Sequence, residues 1–138
     1  MKKIIKSNRG DGYIEVVVGV FCSVLLLVFI INTFTLLVVK QNMDFYTKEL
    51  LKTATIDGQI SDNVATRQAQ LTAETGITPT SVTWNTTYFN ASQKTVQFGE
   101  KIELTITYQT TFKGFGIFNV PITLTAKHTA LSQRYWKS

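Results

Sequence analysis

The sequence contains few of the residues that cross-link small domains or bind metal ions. It has one cysteine and one histidine in 138 residues. Because Cys22 has no second cysteine to pair with, an intrachain disulfide is excluded and the chain must fold on its own hydrophobic core. A lone His128 cannot form the His and Cys clusters that bind metals. We therefore expect no metal site and no cofactor.

Basic residues are concentrated at one end of the chain rather than spread over a surface. The formal net charge is +5, from 14 Lys and Arg against 9 Asp and Glu. Four of the basic residues lie within residues 1–10, which leaves a balance of 10 minus 9, or +1. This excludes a basic surface for nucleic acid, so we expect no nucleic-acid partner. No Gly-rich phosphate loop follows a strand pattern, and we do not expect an enzyme.

Charge is absent from Val16 to Val39, an apolar run of about 24 residues. As a helix this run is roughly 36 Å long, enough to cross a hydrocarbon core of about 30 Å. The preceding basic residues predict a single-pass protein of the cytoplasmic membrane, with its N-terminus inside and its C-terminal part outside. A cleaved secretory signal peptide has a shorter apolar region and a small-residue cleavage site. We therefore expect the helix to be retained.

One acidic residue, Glu15, stands at the start of the apolar run, where a carboxylate is unfavourable in lipid. A short basic leader that ends in Gly10, a Glu five residues later and an unbroken apolar helix together resemble a type IV prepilin signal. The match is to the TadE-like pseudopilins of tight-adherence (Tad) systems, including a Gram-positive subfamily. The Gly76–Pro79 loop and the Leu131–Lys137 tail are similar to that subfamily as well.

The resemblance implies that a prepilin peptidase cuts between Gly10 and Asp11, and that the carboxylate of Glu15 pairs with the new α-amine of a neighbouring subunit. It implies a minor pilin or pseudopilin, a structural subunit of a type IV-like (Tad-type) filament or secretion apparatus. Its partners would be the peptidase, other pilin subunits, a membrane assembly platform and membrane lipid. The alternative is a signal-anchored extracytoplasmic protein that binds a ligand or partner and is never cleaved.

The apolar run also carries a small-residue spacing. Gly19 and Ser23 lie four residues apart, which is typical of membrane helices that pack closely against one another. Small residues are common in membrane helices, so the spacing alone does not identify an assembly surface. We treat Glu15, Gly19 and Ser23 together as the candidate assembly residues.

The helical pattern continues past the apolar run. Met43, Tyr46, Leu50 and Ala54 recur at spacings of three and four, which predicts one helix through residues 13–57 that ends at Gly58. A second helix is predicted from Ser61-Asp62 to Gly76.

After residue 81 the hydrophobic period changes to two. The patterns predict strands at Val82–Trp84, at Thr95–Phe98, along Ile102–Tyr108 and along Ile122–His128. The pattern breaks at Lys113-Gly114-Phe115-Gly116, which predicts a loop there. We predict an α+β fold in which a long N-terminal helix packs on a small antiparallel sheet of three to four strands, an arrangement that the resemblance describes as type IV pilin-like. The predicted divisions are a leader at 1–10, a membrane and assembly segment at 11–39 and an extracytoplasmic domain at 40–138.

Two apolar clusters near the end of the chain are candidate interfaces. The first comprises Phe115, Ile117 and Phe118 among glycines, and the second comprises Tyr135 and Trp136. Each can instead fold onto the domain core. The sequence leaves both alternatives open, because exposure decides between them.

Overall fold

The computed structural model describes residues 11–114, 116 and 118–138. Two helices are followed by three strands, whose bounds are α1 Asp11–Asp57, α2 Asp62–Thr75, β1 Ser81–Thr86, β2 Lys101–Gly114 and β3 Phe118–Leu131. The strands form one antiparallel sheet in the order β1-β2-β3. The long helix packs on this sheet, so the predicted α+β fold is confirmed.

Helix α1 is 47 residues long, which corresponds to about 70 Å. Its sequence contains no proline, and the glycines within it adopt ordinary helical angles. It ends at Asp57 because Gly58 takes a left-handed conformation with φ of 62°. The predicted end of the helix is therefore confirmed.

Helix α2 lies against the C-terminal half of α1. It buries Val64 and Leu71, and Gly76 ends it with φ of 70° and a bond from its N–H to the Thr72 carbonyl. The hydroxyl of Tyr46 in α1 lies 3.2 Å from the Gln68 carbonyl oxygen, to which it donates. Burial raises the pKa of that phenol, which keeps it protonated and able to donate.

The core lies between the sheet and the second half of α1. Met43, Tyr46, Leu50 and Ala54 are all fully buried, as their spacing predicted. Facing them, Ile102, Leu104 and Ile106 of the central strand β2 are also fully buried. The register pairs Trp84 with Leu104 and Leu104 with His128, so alternate residues of three strands share the dry face.

The predicted strand at Thr95–Phe98 is wrong. Thr95 makes only isolated bridges, to Gln59 and to Asn90. The Val96 N–H instead donates to the Gly58 carbonyl at 2.7 Å, and the Ser132 hydroxyl donates to the Val96 carbonyl at 2.9 Å. These bonds hold the segment against the end of α1, and Val96 is buried there rather than in the sheet.

The predicted break at Lys113-Gly114-Phe115-Gly116 begins two residues too early. Strand β2 continues through Lys113 and Gly114, Gly116 lies in a turn with φ of 69°, and β3 begins at Phe118, before the Ile122 that the sequence pattern indicated. The pairing runs without interruption from Lys101↔Leu131 to Gly114↔Phe118. Strand β1 pairs with β2 only as far as Thr107, so the remainder of β2 and β3 is a two-stranded ribbon.

Candidate functional site

The most unusual surface is the N-terminal half of α1, where large apolar side chains face outward. This is a helix long and apolar enough to cross a membrane, and its most apolar stretch is not buried by the rest of the protein. Tyr13 is 77% exposed and Phe21 is 63% exposed. A surface of this extent is unstable in water, so it must be covered by lipid or by other protein.

The polar side chains in this half of α1 bond within the helix. The Ser23 hydroxyl donates to the Gly19 carbonyl at 2.8 Å, and the Asn32 amide donates to the Val28 carbonyl at 2.8 Å. Thr33 and Thr35 bond to the carbonyls four residues before them in the same way. These bonds lower the cost of placing the side chains in an apolar environment, because each of the four side chains donates one hydrogen bond to a backbone carbonyl.

The candidate assembly residues Glu15, Gly19 and Ser23 lie along one side of α1, because their spacing of four is close to one helical turn. All three are exposed. Among the described residues Glu15 has no ion-pair partner, and a Cβ added at Gly19 would meet no atom within 4 Å. The side of the helix is therefore open to a neighbouring molecule. Gly10 lies outside the described residues, and Asp11 is the first residue of α1.

A cluster of charged side chains marks the point where α1 enters the core. The Lys40 ammonium lies 3.6 Å from the Asp44 carboxylate and also bonds to the Thr125 carbonyl of β3. The same carboxylate lies 3.4 Å from Nε2 of His128. One residue before Asp44, Met43 is already fully buried. These contacts fix β3 alongside α1.

The β2–β3 ribbon continues beyond this cluster along the apolar half of α1. The rings of Phe112 in β2 and Phe29 in α1 meet edge to face, with centroids 6.3 Å apart. On the same part of the helix Val28, Asn32 and Leu36 are half-buried, at spacings of four that place them on one face. The ribbon therefore reaches well into the apolar run.

The ribbon and its contact with Phe29 were not predicted from the sequence. One sequence signal could have indicated the ribbon. The aromatic residues Tyr108 and Phe112 continue the spacing of the β2 alternation beyond Tyr108, where the predicted strand ends. The glycines that follow Phe112, at positions 114 and 116, predict a loop there instead.

The candidate interface residues differ in their surroundings. Phe118 is 65% exposed and Tyr135 is 70% exposed. Trp136 is half-buried, and its indole N–H donates to the Gly58 carbonyl at 3.1 Å. The Arg134 guanidinium lies 4.8 Å from the centroid of that indole. Phe115 and Ile117 lie outside the described residues.

The outer face of the sheet carries a cluster of charged side chains. The Glu103 carboxylate lies 2.9 Å from the Lys127 ammonium and 3.5 Å from that of Lys101. The hydrogen bond from Lys127 lowers the pKa of the Glu103 carboxyl. Within residues 11–114, 116 and 118–138, no three His, Cys, Asp or Glu side chains are grouped to hold a metal ion.

Comparison with protein-family models finds a match to a domain of unknown function (DUF4320) over residues 20–137. The chain belongs to the DUF4320 family. The DUF4320 match covers the later part of the apolar run, the buried faces of α1 and α2, and the whole sheet. It begins after Glu15 and Gly19. Its description assigns no activity. No curated protein and no solved structure matches the chain.

Proposed function

We propose that this protein is a minor pilin or pseudopilin, a structural subunit of a type IV-like (Tad-type) filament or secretion apparatus. One observation carries the proposal. A single helix has an exposed apolar half, with Glu15 near its start, and a second half that forms the core of an antiparallel α+β domain. A subunit that is first stored in a membrane and later packed into a helical bundle needs both halves.

In the membrane state, lipid covers the exposed half of α1. The helix is long enough to cross the bilayer, and the Ser23 hydroxyl and one N–H of the Asn32 amide donate to backbone carbonyls within it. The basic residues of the leader hold the N-terminus on the cytoplasmic side. The folded domain then lies outside the cell membrane, where its polar face is in water.

In the assembled state, the same apolar surfaces cover one another. Gly19 and Ser23 present little bulk on the side of α1 that carries Glu15, so a neighbouring helix can approach closely there. Between packed helices the Glu15 carboxylate is removed from water and requires a partner. Cleavage after Gly10 would create an α-amine at Asp11, and this amine on a neighbouring subunit would form the ion pair. That pair would set the axial stagger between subunits.

The test of the proposal is processing by a prepilin peptidase. When the chain is expressed with the peptidase, the intact mass of the membrane-extracted protein should correspond to a chain that begins at Asp11. Gly10→Val should prevent the cut, because the resemblance to prepilin signals implies a protease pocket that accepts only a small residue at that position.

Gly12→Val is the matched control, since the same substitution two residues later leaves the cut position unchanged, and a Cβ at Gly12 meets no atom within 4 Å. It should be processed. If the wild-type chain keeps residues 1–10 in the presence of an active peptidase, the protein is instead a permanently anchored extracytoplasmic protein, and the pilin proposal fails.

A further inference from the structure

The β2–β3 ribbon lies parallel to α1, and its contacts give its height along the helix. His128 contacts Asp44, the Thr125 carbonyl accepts from Lys40, and Phe112 contacts Phe29. From Asp44 to Phe29 the helix rises about 22 Å, and the ribbon advances by a similar distance over the same contacts. Phe112, which pairs with Val120, is therefore held at the level of Phe29, and the last pair of the ribbon, Gly114 with Phe118, lies about 7 Å further toward the N-terminus of α1.

The position of the ribbon along α1 is incompatible with a bilayer whose hydrocarbon core ends at Val39. Phe29 lies ten residues before Val39, or about 15 Å along the helix. A bilayer that extended to Val39 would immerse the ribbon to that depth. Beyond Thr107 one edge of β2 has no partner strand among the described residues, and an unpaired backbone group is strongly unfavourable in hydrocarbon. Lys113, which is exposed, would be immersed as well.

A hydrocarbon core placed further toward the N-terminus makes the immersion of the ribbon much shallower. If the core begins near Gly12 and is about 30 Å thick, it ends about 20 residues later, near Ile31. Phe112 and Val120 then lie near the boundary between the acyl chains and the headgroups, and Phe118 lies about 7 Å further into the acyl chains. Asn32, Thr33 and Thr35 fall just outside the hydrocarbon, where polar side chains are less costly.

The exposed side chains at the end of the ribbon fit this position. Phe118 is 65% exposed and Val120 is 51% exposed, although both continue the alternation that buries Ala126 on the dry face of the sheet. Lys113 and Asn119 are also exposed at the same end. Phe118 lies two residues beyond Val120, about 7 Å further along the strand. Apolar groups next to polar ones, at a depth of about 5–10 Å, are typical of proteins that rest in a lipid interface.

We infer that the end of the β2–β3 ribbon, with Phe118 and Val120, rests in the outer lipid interface while α1 crosses the bilayer, and that the hydrocarbon core ends near Ile31. The occupant is lipid because this apolar surface is continuous, through Phe112 and Phe29, with the apolar surface of α1. The inference rests on the membrane-spanning role proposed for α1. It adds a second membrane contact made by the folded domain.

The test uses single-cysteine variants of the full chain in vesicles of phosphatidylcholine and phosphatidylglycerol. Cys22→Ser removes the native thiol, and a nitroxide spin label is then attached at Phe118→Cys or, as a second probe, at Val120→Cys. Phe98→Cys is the matched control, since Phe98 is a phenylalanine of nearly equal exposure, 64%, that lies close to Gly99 and Ser132 near the other end of α1. Val24→Cys reports on the bilayer itself.

The measurement is the ratio of collision rates with oxygen, which concentrates in lipid, and with a nickel chelate, which stays in water. We expect this ratio to be severalfold higher at positions 118 and 120 than at position 98, and highest at position 24. A ratio at 118 and 120 equal to that at 98, with position 24 in lipid, overturns the inference but leaves the membrane span intact.

Two other outcomes also overturn it. If position 24 contacts water, α1 does not span the bilayer, and the inference fails together with that part of the proposed function. If the labels at 118 and 120 are shielded from both reagents, and show spin–spin broadening that disappears on dilution with unlabelled protein, a second copy of the chain covers the ribbon instead of lipid.

Discussion

Gly58 connects the end of the long helix to the C-terminal tail. Its φ of 62° ends α1, and its carbonyl accepts both the Val96 N–H and the Trp136 indole N–H. A Cβ at this position would lie 2.5 Å from Cβ of Arg134, closer than such atoms approach in real structures. One residue therefore has two separate reasons to be glycine, its backbone angle and the contact with the tail.

Gly58→Ala should destabilise the protein by more than backbone conformation alone explains. Left-handed conformation costs an alanine about 1–2 kcal/mol, and the collision with Arg134 adds to it. Gly76→Ala is the matched control, since Gly76 has a similar φ of 70° and open space around it. Urea unfolding of the full chain in detergent, followed by tryptophan fluorescence, gives both values. Equal losses for the two variants would mean that the tail does not pack on the end of α1.

The charge of the Glu15 side chain, rather than its size, should determine whether the chain co-assembles with partner pilins. Glu15→Gln keeps the shape of the side chain but has no charge to offer an α-amine, so we expect normal insertion, normal cleavage after Gly10 and at least about tenfold less co-assembly with partner pilins. Glu15→Lys should be worse, because it places two cations together. The measurement is crosslinking of processed protein to neighbouring subunits, relative to the amount left in membranes. Wild-type crosslinking of Glu15→Gln would remove the ion-pair role.

At the scale of elements, the sheet depends on its central strand. Leu104 is fully buried beneath α1, between Trp84 on one side and His128 on the other. Leu104→Ala should therefore lower the free energy of unfolding by about 2–5 kcal/mol. Leu131→Ala, at a leucine that is 58% exposed, should change it by less than about 0.5 kcal/mol. If both variants unfold at the same urea concentration, the dry face described for β2 is not the core.

The elements that are specified by a local pattern of hydrophobic residues and glycines could be predicted from the sequence. The buried stripe of α1 from Met43 to Ala54 follows helical periodicity, and the glycines that end both helices have left-handed angles. Thr95–Phe98 was not predictable in this way, because its alternation is satisfied by the end of α1 and by Ser132 rather than by a neighbouring strand. Only the tertiary structure supplies those partners.

The residues of the candidate site also differ in whether a local sequence pattern could predict their positions. Glu15, Gly19 and Ser23 lie on one side of α1 because helical geometry requires it. The extension of the ribbon to Phe29 depends instead on a contact between residues more than eighty positions apart, which no local pattern encodes. Similarly, Trp136 and Tyr135 are neighbours in sequence, yet the first packs on Gly58 and the second is exposed.

At the scale of the whole molecule, the proposed function requires one apolar helix to be covered in two different environments. In that proposal lipid covers the helix before assembly and neighbouring helices cover it afterwards, while the domain beyond Lys40 keeps the same core in both states. A protein that only anchors a domain has no need of the second environment. The decisive difference between a pilin and a permanent anchor is therefore whether the processed chain leaves the membrane as part of an assembly.

The most direct measurement is the distribution of the chain between membranes and the filament fraction sheared from cells that produce the peptidase and the partner subunits. We predict that the sheared fraction contains this chain, with an intact mass that begins at Asp11, and that Gly10→Val abolishes its appearance there while Gly12→Val does not. Recovery of the chain in membranes alone, from cells whose other pilins are shed normally, would contradict the account.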